Sequence, residues 1–208
     1  MPSRNRVKLY ASNTFYHVYN RGVERRSVFV DREDHAVFLN LLKRHLSSKQ
    51  QTDKYKRPFT NYHGRIELAA FCLMPNHFHL LVYQHDRSAL PRLMRSIMTS
   101  YTGYFNQKYG RTGNLFQGRY KAAMIDNEAY LWHISRYIHL NPMDIGETWE
   151  TYPYSSYRYY TREWSAEWMQ PKRILDMHQD AHVDYPAFMA DYENHKQILD
   201  EIKPQLAG

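Results

Sequence analysis

Apolar and polar positions along the 208-residue chain change period at marked points. Phe15-Tyr16-His17-Val18-Tyr19-Asn20 is aromatic and β-branched and ends at Arg21-Gly22, which predicts a strand followed by a turn, with Val28-Phe29-Val30 extending it or pairing with it. From Asp31, a helix-capping residue, Val37, Phe38, Leu41, Leu42 and Leu46 keep the three-and-four spacing of one buried helical face, predicting a helix to about Ser47. Residues 49–64 lack periodicity and are polar and basic, as expected of a long loop. Two apolar runs, 65–74 and 78–84, flank Pro75-Asn76 and read as a hairpin, expected at the centre of the sheet. Leu90, Leu93, Met94, Ile97, Met98, Tyr101 and Phe105 mark an amphipathic helix closed by Gly110, and residues 119–125 form a further strand. Asp126 or Asn127 then caps a helix carrying Tyr130, Leu131, Ile134, Tyr137 and Ile138, which Pro142 stops.

Strand, helix, strand, strand, helix, strand, helix is the split βαβ order of an α+β, ferredoxin-like (RRM-like) fold, so we expect an antiparallel sheet with helices on one face. After Gly146 the pattern changes to an irregular segment, Tyr152-Pro153-Tyr154-Ser155-Ser156-Tyr157, followed by one or two helices. The division implied is a domain over residues 1–160 and a C-terminal helical extension over 161–208.

Composition narrows the partners. Lys and Arg number 28 against 21 Asp and Glu, a net charge of +7 with a pI near 9.3, which favours a polyanion, nucleic acid before an anionic membrane surface. Apolar runs fall far short of the roughly 20 residues of a membrane span. The first residues carry Arg4, Arg6 and Lys8 but no apolar core of signal-peptide length, so the expected location is the cytoplasm. Cys72 is the only cysteine, which excludes an intramolecular disulfide and a cysteine zinc cluster. The 19 tyrosines suit either base stacking or an aromatic core with hydroxyls at its rim, and the latter accounts for most of them.

Two groupings carry candidate chemistry. His77 and His79 stand two apart on a strand, so both imidazoles project from one face while Phe78 faces the core. Such a pair is half of a metal site or a chance spacing among 12 histidines; two unpaired imidazoles buried for packing alone would cost free energy. His133, Tyr137 and Asn141, spaced by four, follow one face of a helix; Asn141 precedes Pro142, where the backbone is biased away from helical geometry. Read alone, Tyr137 is better taken as a packed residue with its hydroxyl at the rim, and Asn141 as a helix cap.

The run Met74-Pro75-Asn76-His77-Phe78-His79-Leu80-Leu81-Val82 resembles the His-hydrophobic-His (HUH) signature of single-tyrosine transposases, and Arg136-Tyr137-Ile138-His139-Leu140-Asn141-Pro142 resembles their nucleophile helix. Similar blocks are Tyr16-His17-Val18-Tyr19-Asn20-Arg21-Gly22, Phe116-Gln117-Gly118-Arg119-Tyr120-Lys121 and Tyr154-Ser155-Ser156-Tyr157, so the resemblance covers about residues 13–160. Within that superfamily the chain most resembles the REP-associated tyrosine transposases, which act on repetitive extragenic palindromes.

The resemblance implies Tyr137 as nucleophile and a cation, Mg²⁺ or Mn²⁺, held by His77, His79 and Asn141, the last being shorter than the Gln that related transposases often carry there. It implies a 5′-phosphotyrosine, a free 3′-hydroxyl and strand rejoining. A phenol with a pKa of about 10 is about one part in a thousand ionised at pH 7, so it needs help, for which Arg136, His133 and the cation are candidates. Tyr130, Tyr101 and Tyr104 compete as nucleophiles, but only Tyr137 has Asn four residues on. The expected partner is single-stranded hairpin DNA, contacted by Arg21, Arg119, Lys121 and Arg136, together with the basic amino terminus and the loop at 49–65. A monomer is expected, although insertion-sequence relatives swap the tyrosine helix between protomers. Competing readings are a catalytically silent hairpin-binding module and a metal-dependent phosphohydrolase that uses water; the residues argue against a histidine-triad hydrolase, because position 81 is Leu and the HxHxH run is absent.

Overall fold

The computed structural model describes residues 10–180 and 184–192. The elements β1 (Thr14–Arg21), α1 (Arg32–Leu46), β2 (Ile66–Met74), β3 (His77–Gln84), α2 (Ala89–Lys108), β4 (Lys121–Ile125) and α3 (Glu128–Leu140) follow one another in the expected order. The four strands form one sheet ordered β2-β3-β1-β4, with every neighbouring pair antiparallel. This is the strand order of a ferredoxin-like sheet, reached because each helical crossover returns the chain beside a strand already laid down.

Alternation along the strands divides the buried side chains into two layers. Val18, Phe78, Leu80 and Val82 join Phe38 and Leu42 of α1 and Leu90 and Ile97 of α2 on one face, where helices were expected. Residues of the other parity, Cys72, Met74 and Leu81, pack with Ile134 and Ile138 of α3 on the opposite face. Among the described residues three further helices follow: α4 (Tyr157–Tyr160), α5 (Lys172–Asp180) and α6 (Tyr185–Ala190). Ile174, Tyr185, Phe188 and Met189 complete the α3 layer, so α3 and the carboxy-terminal extension close the second face of the sheet.

Helix α1 starts at a reciprocal capping box between Asp31 and Asp34, the Asp31 side chain accepting from the Asp34 amide at 3.0 Å. Lys108, near the end of α2, lies 2.8 Å from Asp31, 2.9 Å from Glu33 and 3.0 Å from Asp34 and so ties the two helices together. Residues 28–30 form no strand; instead the Val28 and Phe29 amides donate to the Pro75 carbonyl at 2.7 and 3.0 Å, bracing the hairpin turn.

The hairpin is off-centre. β3 and β1 occupy the middle of the sheet and β2 lies at an edge, yet β2 is buried along nearly all its length. Its open edge is covered by the segment after residue 150. The Leu73 amide donates to the Tyr154 carbonyl and the Ser156 amide to the Phe71 carbonyl, both at 2.9 Å, while the Tyr152 and Tyr160 hydroxyls donate to the carbonyls of Leu73 and Ala69. At Tyr152 and Tyr160 the phenol buries its ring and satisfies a carbonyl of the β2 edge at the same time. No helix among the described residues is long and apolar enough to cross a membrane.

Candidate active site

The cross-strand register assembles the site. Tyr19 lies opposite His79 and Arg21 opposite His77, so the ends of β1 and β3 present these side chains together on the α3 face. Gly22 then turns the chain sharply; a β-carbon there would sit 2.2 Å from the Arg26 carbonyl oxygen, which only glycine avoids. Glu24 and Arg25 follow with φ of 54° and 58°, left-handed conformations that swing Arg25 back toward the histidines. The Gln117 amide donates to the Arg21 carbonyl at 2.8 Å and the Asn20 side chain to the Gly118 carbonyl at 3.1 Å, fixing the loop that leads to Arg119 and Lys121.

The result is a cleft of about 410 Å³ lined by Tyr19, Asn20, Arg21, Arg25, His77, His79, Gln117, Arg119, Lys121 and Tyr137. Four cationic side chains and no carboxylate line it, so it favours an anion. Tyr137 reaches it from α3, with its ring centroid 5.4 Å from that of His79. Burial pushes the Tyr137 phenol up to about 12; nearby Asp144 adds to the rise, and Arg21 opposes it. The phenol is therefore neutral at physiological pH, and Arg21 is the cationic side chain placed to favour its ionised form.

Both motif histidines are neutral. Burial holds His77 down to about 4 and His79 well below the ordinary imidazole value. Neighbouring amides fix the protons. The Asn76 side chain donates through Nδ2 to the Arg25 carbonyl at 3.2 Å, which leaves its Oδ1 to accept the His77 Nδ1–H at 2.6 Å. The lone pair of His77 is then on Nε2. Asn141 donates through Nδ2 to the Tyr137 carbonyl at 2.7 Å, so its Oδ1 is also a lone-pair atom, and it lies 3.3 Å from His77 Nε2. Two such lone-pair atoms repel, and a divalent cation or a hydrogen-bond donor bound to both would relieve that repulsion. His79 Nε2 is buried with no hydrogen-bond partner. Among the described residues no group of three His, Cys, Asp or Glu is arranged to hold a metal. Two neutral imidazoles and one amide oxygen are nonetheless a donor set that fits a divalent cation tolerant of nitrogen.

Most of the expected residues meet here, namely His77, His79, Asn141, Tyr137, Arg21, Arg119 and Lys121. Arg136 does not. It is fully buried on another face of α3, its guanidinium 3.6 Å above the Phe188 ring and donating to the Phe188 carbonyl. Successive helical residues are rotated by about 100°, so the neighbour of Tyr137 in sequence cannot share its outlook. His133 likewise packs toward Phe188, with ring centroids 6.1 Å apart, and Tyr130 does not line the cleft. Asn141 keeps helical angles, φ −50° and ψ −36°, and leads into a 3-10 turn, Asn141–Ile145, in place of the extended geometry expected before Pro142. The basic loop at 49–64 joins the start of β2, whereas His77 begins β3 beside the end of β2, about 26 Å along a nine-residue strand. Arg4, Arg6 and Lys8, and residues 193–208 of the extension, lie outside the described residues.

Residues that sequence reasoning missed are Tyr19, Asn20, Arg25, Gln117 and the fully buried His17, whose Nε2 lies 2.8 Å from His79 Nδ1. His17 and Tyr19 share the alternation of the His77/His79 pair, which is the signal that could have found them. Nothing in the sequence announces Arg25, because no glycine marks its left-handed turn.

The model of one protein family, described as transposase, IS200-like, matches residues 10–141, and no curated protein matches the chain. Among solved structures, one of the REP-associated tyrosine transposase bound to a REP hairpin is 15% identical, covers 81% of this chain and 94% of that one, and superposes with a TM-score of 0.54, showing a shared fold. A transposase candidate from Deinococcus radiodurans is 18% identical over 65% of this chain and 95% of its own, with a TM-score of 0.40. With the family model spanning well over half of its length, across both β-strand histidines and the tyrosine helix, the chain belongs to the IS200-like transposases.

Proposed function

We propose that the protein is a metal-dependent, single-tyrosine DNA strand transferase acting on single-stranded hairpin DNA. The observation that carries this reading is the convergence of Tyr137, His77, His79 and Asn141 in one cleft edged by Arg21, Arg25, Arg119 and Lys121. The hairpin bound by the structural relative supports the choice of substrate.

His77, His79 and Asn141 would hold Mg²⁺ or Mn²⁺, which when bound supplies Lewis-acid polarisation of a non-bridging phosphate oxygen. Arg21, Arg119 and Lys121 bind the flanking phosphates and orient the strand. Tyr137 Oη attacks phosphorus in line; the Tyr137 O–P bond forms, the P–O3′ bond breaks, and the proton lost by the phenol is balanced by the one gained at the released 3′-oxygen. The products are a 5′-phosphotyrosine and a 3′-hydroxyl, and the reverse step rejoins strands without ATP.

The test uses hairpin-bearing single strands labelled at either end, incubated with Mn²⁺ or chelator and run on a denaturing gel. A metal-dependent adduct that keeps the 3′-side label is expected. Cleavage without an adduct would replace this reading with water as nucleophile, and binding without cleavage would leave a silent binding module.

A further inference from the structure

His17 is fully buried in the middle of β1, and burial holds it neutral at about 3. It does not line the cleft. Its Nε2 faces His79 Nδ1 at 2.8 Å, with the two ring planes within 10° of each other. One proton sits between these nitrogens, and which ring owns it decides what His79 presents to the cleft. If His17 donates, His79 carries its own proton on Nε2 and has no lone pair there. If His79 donates, the lone pair is on Nε2, the buried atom left without a partner.

We propose that His17 is a positioning residue that accepts the Nδ1–H of His79 and thereby fixes the tautomer in which His79 Nε2 can ligate a cation. The inference rests on the reading of His77 and His79 as cation ligands. It gives His79 the same kind of support that Asn76 gives His77 across its 2.6 Å contact, so both imidazoles are oriented from behind. The fold pays for the arrangement, because His17 Nδ1 is itself buried without a partner, a defect that an apolar residue on β1 would not carry.

The experiment measures Mn²⁺ affinity of the full chain by electron paramagnetic resonance for wild type, His17→Phe, His17→Gln and His79→Ala, alongside the nitrogen-15 signals of His79 in the Mg²⁺-loaded wild type. His17→Phe should weaken Mn²⁺ about 10- to 100-fold, the loss that removing such an outer partner produces. His17→Gln, whose Oε1 can still accept, should recover most of it. Wild-type His79 should show its proton on Nδ1. A folded His17→Phe that binds Mn²⁺ like wild type, or a proton on His79 Nε2 in the loaded protein, would overturn the proposal. If His17→Phe fails to fold, the His79 signals decide alone. Unchanged Mn²⁺ affinity in His79→Ala would instead refute His79 as a ligand, and the present inference with it.

Discussion

If His77 and His79 hold a cation as proposed, lowering the pH from 7.5 to 5.5 tells whether they do so as buried or as exposed imidazoles. An ordinary imidazole, with a pKa of about 6.5, is about 90% protonated at pH 5.5; two independent ones would both be bare in about 1% of molecules, weakening a cation about 100-fold. In this protein burial holds His77 at about 4. At pH 5.5 it is then about 3% protonated. His79 lies well below its ordinary value as well, because it is more deeply buried and because His77, His17 and Arg21 disfavour added charge. The expected loss of Mn²⁺ affinity over these two pH units is therefore less than twofold. Titration calorimetry or the signal of free Mn²⁺ at the two pH values measures it. A loss of tenfold or more would show instead that the histidines titrate as solvent-exposed groups.

Other outcomes follow from residues around the site. His139 is fully buried between the Tyr185 hydroxyl at 2.8 Å and the Ser156 hydroxyl at 2.7 Å, and burial holds it at about 3. Below pH 6.5 the unfolded chain binds a proton that the folded chain refuses. Stability should thus fall by about 1.4 kcal/mol per pH unit for this group as pH drops from about 6.5 toward 3. Urea titrations of His139→Gln between pH 6 and 4 should show a correspondingly shallower decline; an unchanged decline would place the sensitivity elsewhere. Arg119→Ala and Lys121→Ala should each reduce the slope of log affinity against log salt by about 0.7 for single-stranded hairpin ends. Arg136→Ala should leave that slope unchanged and lower stability by about 2–4 kcal/mol through the space left beneath Phe188, as read by thermal melts. A smaller slope in Arg136→Ala would return that residue to the DNA footprint.

Periodicity made most of the fold legible. The helical stripes of α1 and α2 and the alternation of β1 and β3 are local signals, and they matched the elements within a few residues. The position of β2 was not local. Its continuous apolar run reads as a central strand, and the contacts of Tyr152, Tyr154, Ser156 and Tyr160 along its edge show why an edge can be that buried. The site was legible where chemistry follows the side-chain period, as in His77 with His79 and Tyr137 with Asn141. It was illegible where tertiary geometry decides. Arg136 adjoins Tyr137 in sequence yet faces α6, and the basic loop at 49–64 sits at the end of β2 far from the cleft. Arg25 reaches the cleft through backbone angles that its residue type does not announce.

The most direct measurement identifies the residue to which the proposed strand transfer would attach DNA. Trypsin cleaves after Arg136 and so separates Tyr130, on the peptide spanning residues 122–136, from Tyr137, which begins the peptide spanning 137–158. Mass spectrometry of the digested, nuclease-trimmed adduct should find the nucleotide on Tyr137. A nucleotide on Tyr130, or on any other side chain, would contradict the assignment of the nucleophile.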